Sequence, residues 1–198
     1  MSNEIHKINN ISFNKCLIIA DKKVPKKNLL ALKKQILSKT KLTHLFNSSE
    51  KNKNQQSVNI ILNKLFKNNF NRNDCIIALG GGITGDVAGY TASIYKRGLK
   101  FINIPSTLLA QVDSSIGGKT GINNSYGKNL VGTFFQPDLV ISDINLLKSL
   151  SKREIICGYG EIIKHSLILD RKFFFWLYKN AKKIIDKKDK KILKLAII

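Results

Sequence analysis

The chain has 198 residues, 43% of them hydrophobic, and a formal charge of +21 from 34 Lys and Arg against 13 Asp and Glu. That is enough apolar material for one good core and part of a second. No apolar run approaches the roughly 18 residues that span a bilayer, and the amino terminus MSNEIHKINN lacks the apolar stretch of a secretory signal.

In chain order, CLIIA at 16–20 predicts a short buried strand, followed by a helix over 26–38 with Leu29, Leu32, Ile36 and Leu37 on one side. The stretch 47–55 predicts a polar loop, and 56–67 a helix with Ile60, Ile61, Leu65 and Phe66 at helical spacing. CIIAL at 75–79 predicts a second strand. Ile83, Val87, Tyr90 and Ile94 then place a helix that begins near Thr84 and ends before Gly98. FINI at 101–104 and LVIS at 139–142 predict two more strands, and from about Lys152 the text is helical to the end. Strands alternating with helices predict an α/β fold around a parallel sheet.

The charge is unevenly placed. Residues 76–147 carry five basic residues (Lys96, Arg97, Lys100, Lys119, Lys128) against four acids (Asp86, Asp113, Asp138, Asp143), so the excess lies in flanks such as KKIIDKKDKKILK at 182–194. FFFW at 173–176 is the only aromatic cluster near basic residues, so the flanks read as solvated lysine faces and not as a nucleic-acid surface. Cys16, Cys75 and Cys157 form no CxxC pair and sit in apolar stretches, which predicts buried free thiols in a reducing, cytoplasmic setting.

All thirteen glycines fall between Gly80 and Gly160. Gly80, Gly81 and Gly82 end a strand and open a helix, which offers bare backbone N–H groups and the positive end of a helix dipole to an anion. Gly85 and Gly89 would let that helix lie close to its neighbour, and Asp86 is expected on a solvent-facing turn. The stretch resembles a dinucleotide-binding turn without the GxGxxG spacing. A tight turn with no ligand remains open at this point.

The rest of the glycine-rich window narrows the reading. GGGITGDVAGYTASIYKRG, IPSTLLAQVDSSIGGKTGIN, YGKNLVGTFFQP and GYGEIIKHSLILD, in that order, closely resemble the 3-dehydroquinate synthase family. The resemblance covers roughly 75–175 and is weaker before it, where Glu50 and Lys53 carry it. It implies a Rossmann-like nucleotide-binding domain over 1–148, followed by the start of an all-helical domain over 149–198. It also implies the family's reaction, in which 3-deoxy-arabino-heptulosonate 7-phosphate becomes 3-dehydroquinate with loss of phosphate. Bound NAD transiently oxidises a ring hydroxyl, and a divalent metal, zinc or cobalt, polarises the substrate's hydroxyls.

By matching motif, the resemblance assigns Gly82, Gly85, Asp86, Glu50, Lys53, Ser106, Thr107, Leu146 and Ser149 to the cofactor. It places Lys119 and Lys128 on cofactor and anionic substrate groups. Arg97, Asp113, Asn129 and Lys164 become substrate or catalytic contacts, and Glu161 a metal ligand. His165, four residues after Glu161, is expected to pack in the helix and not to bind metal. The family chain is longer at both ends, and two of its histidine ligands have no counterpart here, which implies a truncated synthase. The family also implies a homodimer. Two alternatives stay open: a sister sugar-phosphate cyclase or glycerol-dehydrogenase-like enzyme, and a non-catalytic NAD-binding or basic fragment.

Overall fold

The computed structural model of the chain describes residues 3–198. In chain order its elements are β1 (Lys15–Asp21), α1 (Lys26–Gln35), β2 (Thr40–Phe46), α2 (Gln55–Lys67), β3 (Cys75–Gly80), α3 (Gly82–Ile94) and β4 (Lys100–Pro105). There follow β5 (Lys119–Asn124), β6 (Gly127–Phe134), β7 (Leu139–Val140), α4 (Lys152–Leu169), α5 (Arg171–Ile185) and α6 (Lys190–Ile197).

Five strands form one parallel sheet in the order β2-β1-β3-β4-β7. The apolar runs of β1 and β3 are explained by burial on both faces, as a sheet covered by crossover helices requires. Alternate residues serve alternate faces. Leu17, Ile19, Ile76 and Ala78 pack with Val58, Ile61 and Leu65 of α2 and Val87 and Ala88 of α3. On the opposite face Ile18, Ala20, Ile77 and Leu79 meet Ile5, Ile8 and Leu32. At the amino ends of the strands, buried Asp74 accepts hydrogen bonds from the backbone N–H of Lys15 (3.0 Å) and of Asn71 (2.7 Å). The strand order reverses between β1 and β3, so the crevice where such sheets bind ligands lies beyond Asp21 and Gly80.

Several expectations need correction. β2 was not anticipated: TKLTHLF is a half-buried edge strand whose polar residues mask the strand pattern. Helix α2 buries Val58, Ile61 and Leu65, while Ile60 and Phe66 are half exposed, so the apolar stripe runs one residue away from the expected face. Helix α1 stops at Gln35 and leaves Leu37 exposed. The loop at 47–55 contains a short 3-10 turn, Glu50–Asn52, and only the first two residues of LVIS pair as strand. Helix α3 opens at Gly82 and not at Thr84, which puts Asp86 in its second turn.

Strands β5 and β6 form a separate antiparallel hairpin that the sequence reading did not foresee. It is entered through Gly117 and Gly118, at φ 87° and 68°, a backbone conformation that side-chain-bearing residues avoid. The hairpin lies across α3. There Gly89 is needed because a Cβ would come 2.5 Å from Thr120 Cγ2 and 3.0 Å from the Phe101 ring.

Helices α4, α5 and α6 build a third apolar cluster around Leu108, Ile155, Ile162, Leu177, Ile184 and Leu193. A capping box opens α4: the Ser151 side chain accepts from the Glu154 backbone N–H, and Glu154 reaches back to Ser151. Ser151→Ala should lower stability by about 1 kcal/mol. This would register as a melting temperature lower by about 2–4 °C, with strand signals unmoved.

Candidate functional site

The glycine turn opens α3. Gly81 caps α3 without any side-chain cap, so the backbone N–H groups of its first turn keep their capacity for an external acceptor. A Cβ on Gly82 would sit 2.8 Å from Ser114 Oγ, and one on Gly81 would lie 3.2 Å from Thr107 Cγ2. The triplet therefore lets two loops approach the helix N-terminus as closely as they do.

An ionic cluster stands one turn further along. Lys53 is 6% exposed, with its ammonium 2.5 Å from Asp86 Oδ2 and donating to Asn129 Oδ1 at 2.5 Å. Asn129 holds φ at 58°, a left-handed conformation that asparagine tolerates. Burial pushes the Asp86 carboxyl above its ordinary value, against the opposing pull of Lys53. Around it, Asn123 Nδ2 donates to Glu50 Oε1 at 2.8 Å and Lys128 Nζ lies 3.8 Å from the same oxygen. Backbone bonding fixes the assembly, since Asn123 N–H donates to the Lys53 carbonyl at 2.8 Å. Asp86 is thus a half-buried ion-pair partner and not a residue of a solvent-facing turn.

Two clefts open from this frame. The larger, of about 480 Å³, is lined by Lys53, Asp86, Asp113, Lys119 and Asn129, with Leu130 and Phe134 as its apolar rim. Asp113 belongs to a π-helical turn, Ala110–Ser114, a rare geometry that recurs at functional sites. The smaller cleft, of about 110 Å³, is lined by Asp21, Ser106, Thr107, Leu146, Ser149 and Glu154. Burial pushes the Asp21 carboxyl up, and Glu154 adds to that shift. Asp21 was missed at the sequence level. An acid directly after a buried strand, ahead of a helix, was the available signal.

Helix α4 carries the remaining candidates. Glu161 is ion-paired with Lys164, and His165 Nε2 lies 3.2 Å from Glu161 Oε1. His165, expected to pack, instead stands 40% exposed beside that carboxylate. The pairing with Lys164 holds Glu161 below the usual carboxylate range. Among the described residues no three His, Cys, Asp or Glu side chains gather as a metal site.

Residues 43–157 match the family described as 3-dehydroquinate synthase N-terminal. The 3-dehydroquinate synthase of Pelagibacter ubique (strain HTCC1062) is 61% identical over 186 residues, which is 94% of this chain and 50% of the relative. The Bartonella tribocorum synthase is 44% identical over 84% of this chain and 45% of its own length. The chain belongs to the 3-dehydroquinate synthase family. It spans about half the length of the curated relatives it matches.

Solved structures agree with this placement. A 2-epi-5-epi-valiolone synthase from Streptomyces hygroscopicus, bound to NAD+ and Zn2+, superposes with a TM-score of 0.82 at 26% identity, over 93% of this chain and 54% of the other. A 2-deoxy-scyllo-inosose synthase with carbaglucose-6-phosphate, NAD+ and Co2+ gives 0.77 at 28% identity, over 82% and 46%. An iron-containing alcohol dehydrogenase at 20% identity and a TM-score of 0.67 shares the fold.

Against the expectations for a 3-dehydroquinate synthase, the structure brings Lys53, Asp86, Asp113, Lys119 and Asn129 into one cleft and Ser106, Thr107, Leu146 and Ser149 into the other. Gly82 and Gly85 lie in the first turns of α3, with Gly85 against the Asn103 amide. Glu50 and Lys128 stand beside the larger cleft and line neither. Arg97 also lines neither: it is exposed at φ 65°, in a turn where Lys96, Arg97 and Gly98 all have positive φ. Glu161 and Lys164 sit outside both linings, although Asp113 is near enough to raise the Lys164 ammonium's pKa alongside the dominant effect of Glu161.

The cysteines divide. Cys16 and Cys75 are buried, whereas Cys157 is exposed on α4, contrary to expectation. Burial pushes Cys16 up to about 11 and Cys75 well above its ordinary value. An aromatic disulfide reagent at neutral pH should titrate a single thiol in the native protein and three after unfolding. Reaction of a second thiol without unfolding would contradict this burial.

Proposed function

We propose that this chain supplies the nucleotide half of a 3-dehydroquinate synthase, with residues 1–148 as an NAD-binding domain and 149–198 as the beginning of the helical domain. The convergence of Lys53, Asp86 and Asn129 from three separate segments carries this reading. A buried lysine between an acid and an amide, at the mouth of an uncapped helix N-terminus, suits a ligand that combines ribose hydroxyls with phosphate.

The residues present fit a dinucleotide. The first turn of α3 would take the pyrophosphate, the Asp21 and Ser149 side the hydroxyl-rich end, and the Asp86 side the reacting end. When bound, NAD supplies a reversible hydride acceptor. The chain's own residues do the rest. Lys119 offers an exposed cation to the phosphate of a sugar phosphate, Asp113 accepts from its ring hydroxyls, and Asn129, fixed by Lys53, orients it.

A metal is a different matter, because the described residues do not assemble a site. Glu161 with His165 beside it makes at most two ligands, one fewer than the three protein ligands of catalytic zinc sites. A homodimer in the cytoplasm, acting on 3-deoxy-arabino-heptulosonate 7-phosphate, completes the proposal.

Two measurements test it. The 198-residue chain should bind NAD+ by calorimetry and hold zinc, after dialysis, no better than a surface carboxylate does. Fused to the second half of the Pelagibacter ubique relative, it should release phosphate from the heptulosonate phosphate, and Glu161→Ala should abolish that release. Stoichiometric zinc on the chain alone would show that the metal site is misplaced. Phosphate release only from another sugar phosphate would favour a sister cyclase.

A further inference from the structure

Gln111 is 2% exposed and lines neither cleft, yet it touches the walls of both. Its Nε2 donates to the carbonyl of Pro105 and to the carbonyl of Asp143, each at 3.1 Å. Pro105 leads directly into Ser106 and Thr107, and Asp143 caps the 3-10 turn Ile144–Ser149, so the two carbonyls anchor two segments that line the smaller cleft. Its backbone N–H donates to the Thr107 carbonyl at 3.0 Å. Its own π-helical turn carries Asp113 and Ser114, which line the larger cleft.

One side chain thus bridges 32 residues of sequence and joins three segments that surround the two clefts. A hydrophobic residue of the same length would fill that space equally well. The amide comes with a buried Oε1 that has no partner, an arrangement that carries a desolvation penalty. The two carbonyl acceptors also fix the amide's orientation, since only its NH2 can face both.

We propose that Gln111 is a positioning residue that sets the spacing between the Ser106–Thr107 and Leu146–Ser149 walls and couples that spacing to the turn bearing Asp113. The proposal rests on the dinucleotide reading above, because those walls are its cofactor side. Gln111 contacts no ligand itself. It acts by holding two backbone segments at the separation that a nucleotide bridges.

The test uses the full chain with NAD+ as the probe, and two variants. Gln111→Met keeps the volume and removes both donors, so NAD+ affinity should fall roughly 10-fold. Amide exchange at 106–107 and 144–149 should quicken without nucleotide, while β1 and α2 stay protected. In Gln111→Glu the carboxyl donates while protonated and repels the two carbonyls once ionised. Its NAD+ affinity should therefore fall with rising pH over a range where the unsubstituted chain and Gln111→Met show no such fall. A role in packing alone predicts that Gln111→Met, which keeps the volume, leaves exchange at the two walls and NAD+ affinity unchanged. Unchanged exchange at the two walls, or unchanged NAD+ affinity in both variants, overturns the proposal. If the unsubstituted chain binds no NAD+ while the localised exchange still appears, the dinucleotide reading falls and the tie between the segments stands.

Discussion

Lys53→Met should destabilise the protein by about 3–5 kcal/mol, the range for breaking a buried ion pair from one side. The ammonium is 8% exposed and Asp86 20% exposed, so water entering from the larger cleft replaces the lost partner only in part. Asn129 loses its donor in the same step, and with it one of the contacts that tie the hairpin to the 50–53 turn. Asp86→Asn should cost less, since burial already favours the neutral form of this side chain in the folded chain. The sign of the pH dependence follows from the direction of the Asp86 shift. Burial raises this carboxyl in the folded chain above 3.8, so the stability it contributes is lost as pH rises from that value through the folded one. Without Lys53 the shift upward grows, and the loss with pH should become steeper. Urea unfolding of both proteins between pH 4 and 8 measures all of this. A difference below 1 kcal/mol would mean that the pair is solvated.

Gly132→Ala should be comparably damaging for a steric reason. Gly121 and Gly132 face each other across β5 and β6. A Cβ on Gly132 would stand 2.1 Å from the Thr120 carbonyl oxygen and 2.8 Å from Gly121 Cα, both backbone atoms that cannot rotate away. The strands must part or slip, and slippage by one residue turns every side chain of the hairpin over. The expected loss is about 3 kcal/mol, together with NAD+ binding, because Lys119 and Asn129 ride on the displaced strands. Gly160→Ala is the control: a Cβ there meets nothing within 4 Å. In a helix, that substitution should be neutral or stabilising by about 0.5–1 kcal/mol. Denaturant midpoints for the two variants decide the matter.

Much of the fold was legible because buried parallel strands spell themselves out as apolar runs. CLIIA, CIIAL and FINI lie within β1, β3 and β4, and α3 was found as a helix, although of its expected apolar face only Val87 is buried and Ile94 is exposed. Elements that do not bury both faces were lost. β2 hides behind Lys41, Thr43 and His44, since an edge strand can leave polar side chains half in water. The hairpin was unreadable as strand because glycine at 121, 127 and 132 erases the alternation on which strand recognition depends. The site followed the same division. Residues inside long motifs were found, but the Lys53–Asp86–Asn129 contact is a fact of three-dimensional closure. Asp21 lies outside the motifs, and Gln111, although inside IPSTLLAQVDSSIGGKTGIN, has a role that only its buried contacts reveal.

The ionic cluster also sets an order of assembly. Lys53 and Asn129 are 76 residues apart in sequence, whereas β5 and β6 pair locally, β3 and β4 join through α3, and the β1–β3 pairing closes a shorter loop than the Lys53–Asn129 contact does. Contacts that close long loops form after local ones. The sheet and the isolated hairpin therefore fold first, and docking of the hairpin onto the 50–53 turn comes last. By the same logic it is the first contact to release, a sub-global opening well below the free energy of complete unfolding. A ligand that touches both Asp86 and Lys119 binds only the docked form, so its concentration governs how long the site survives between openings.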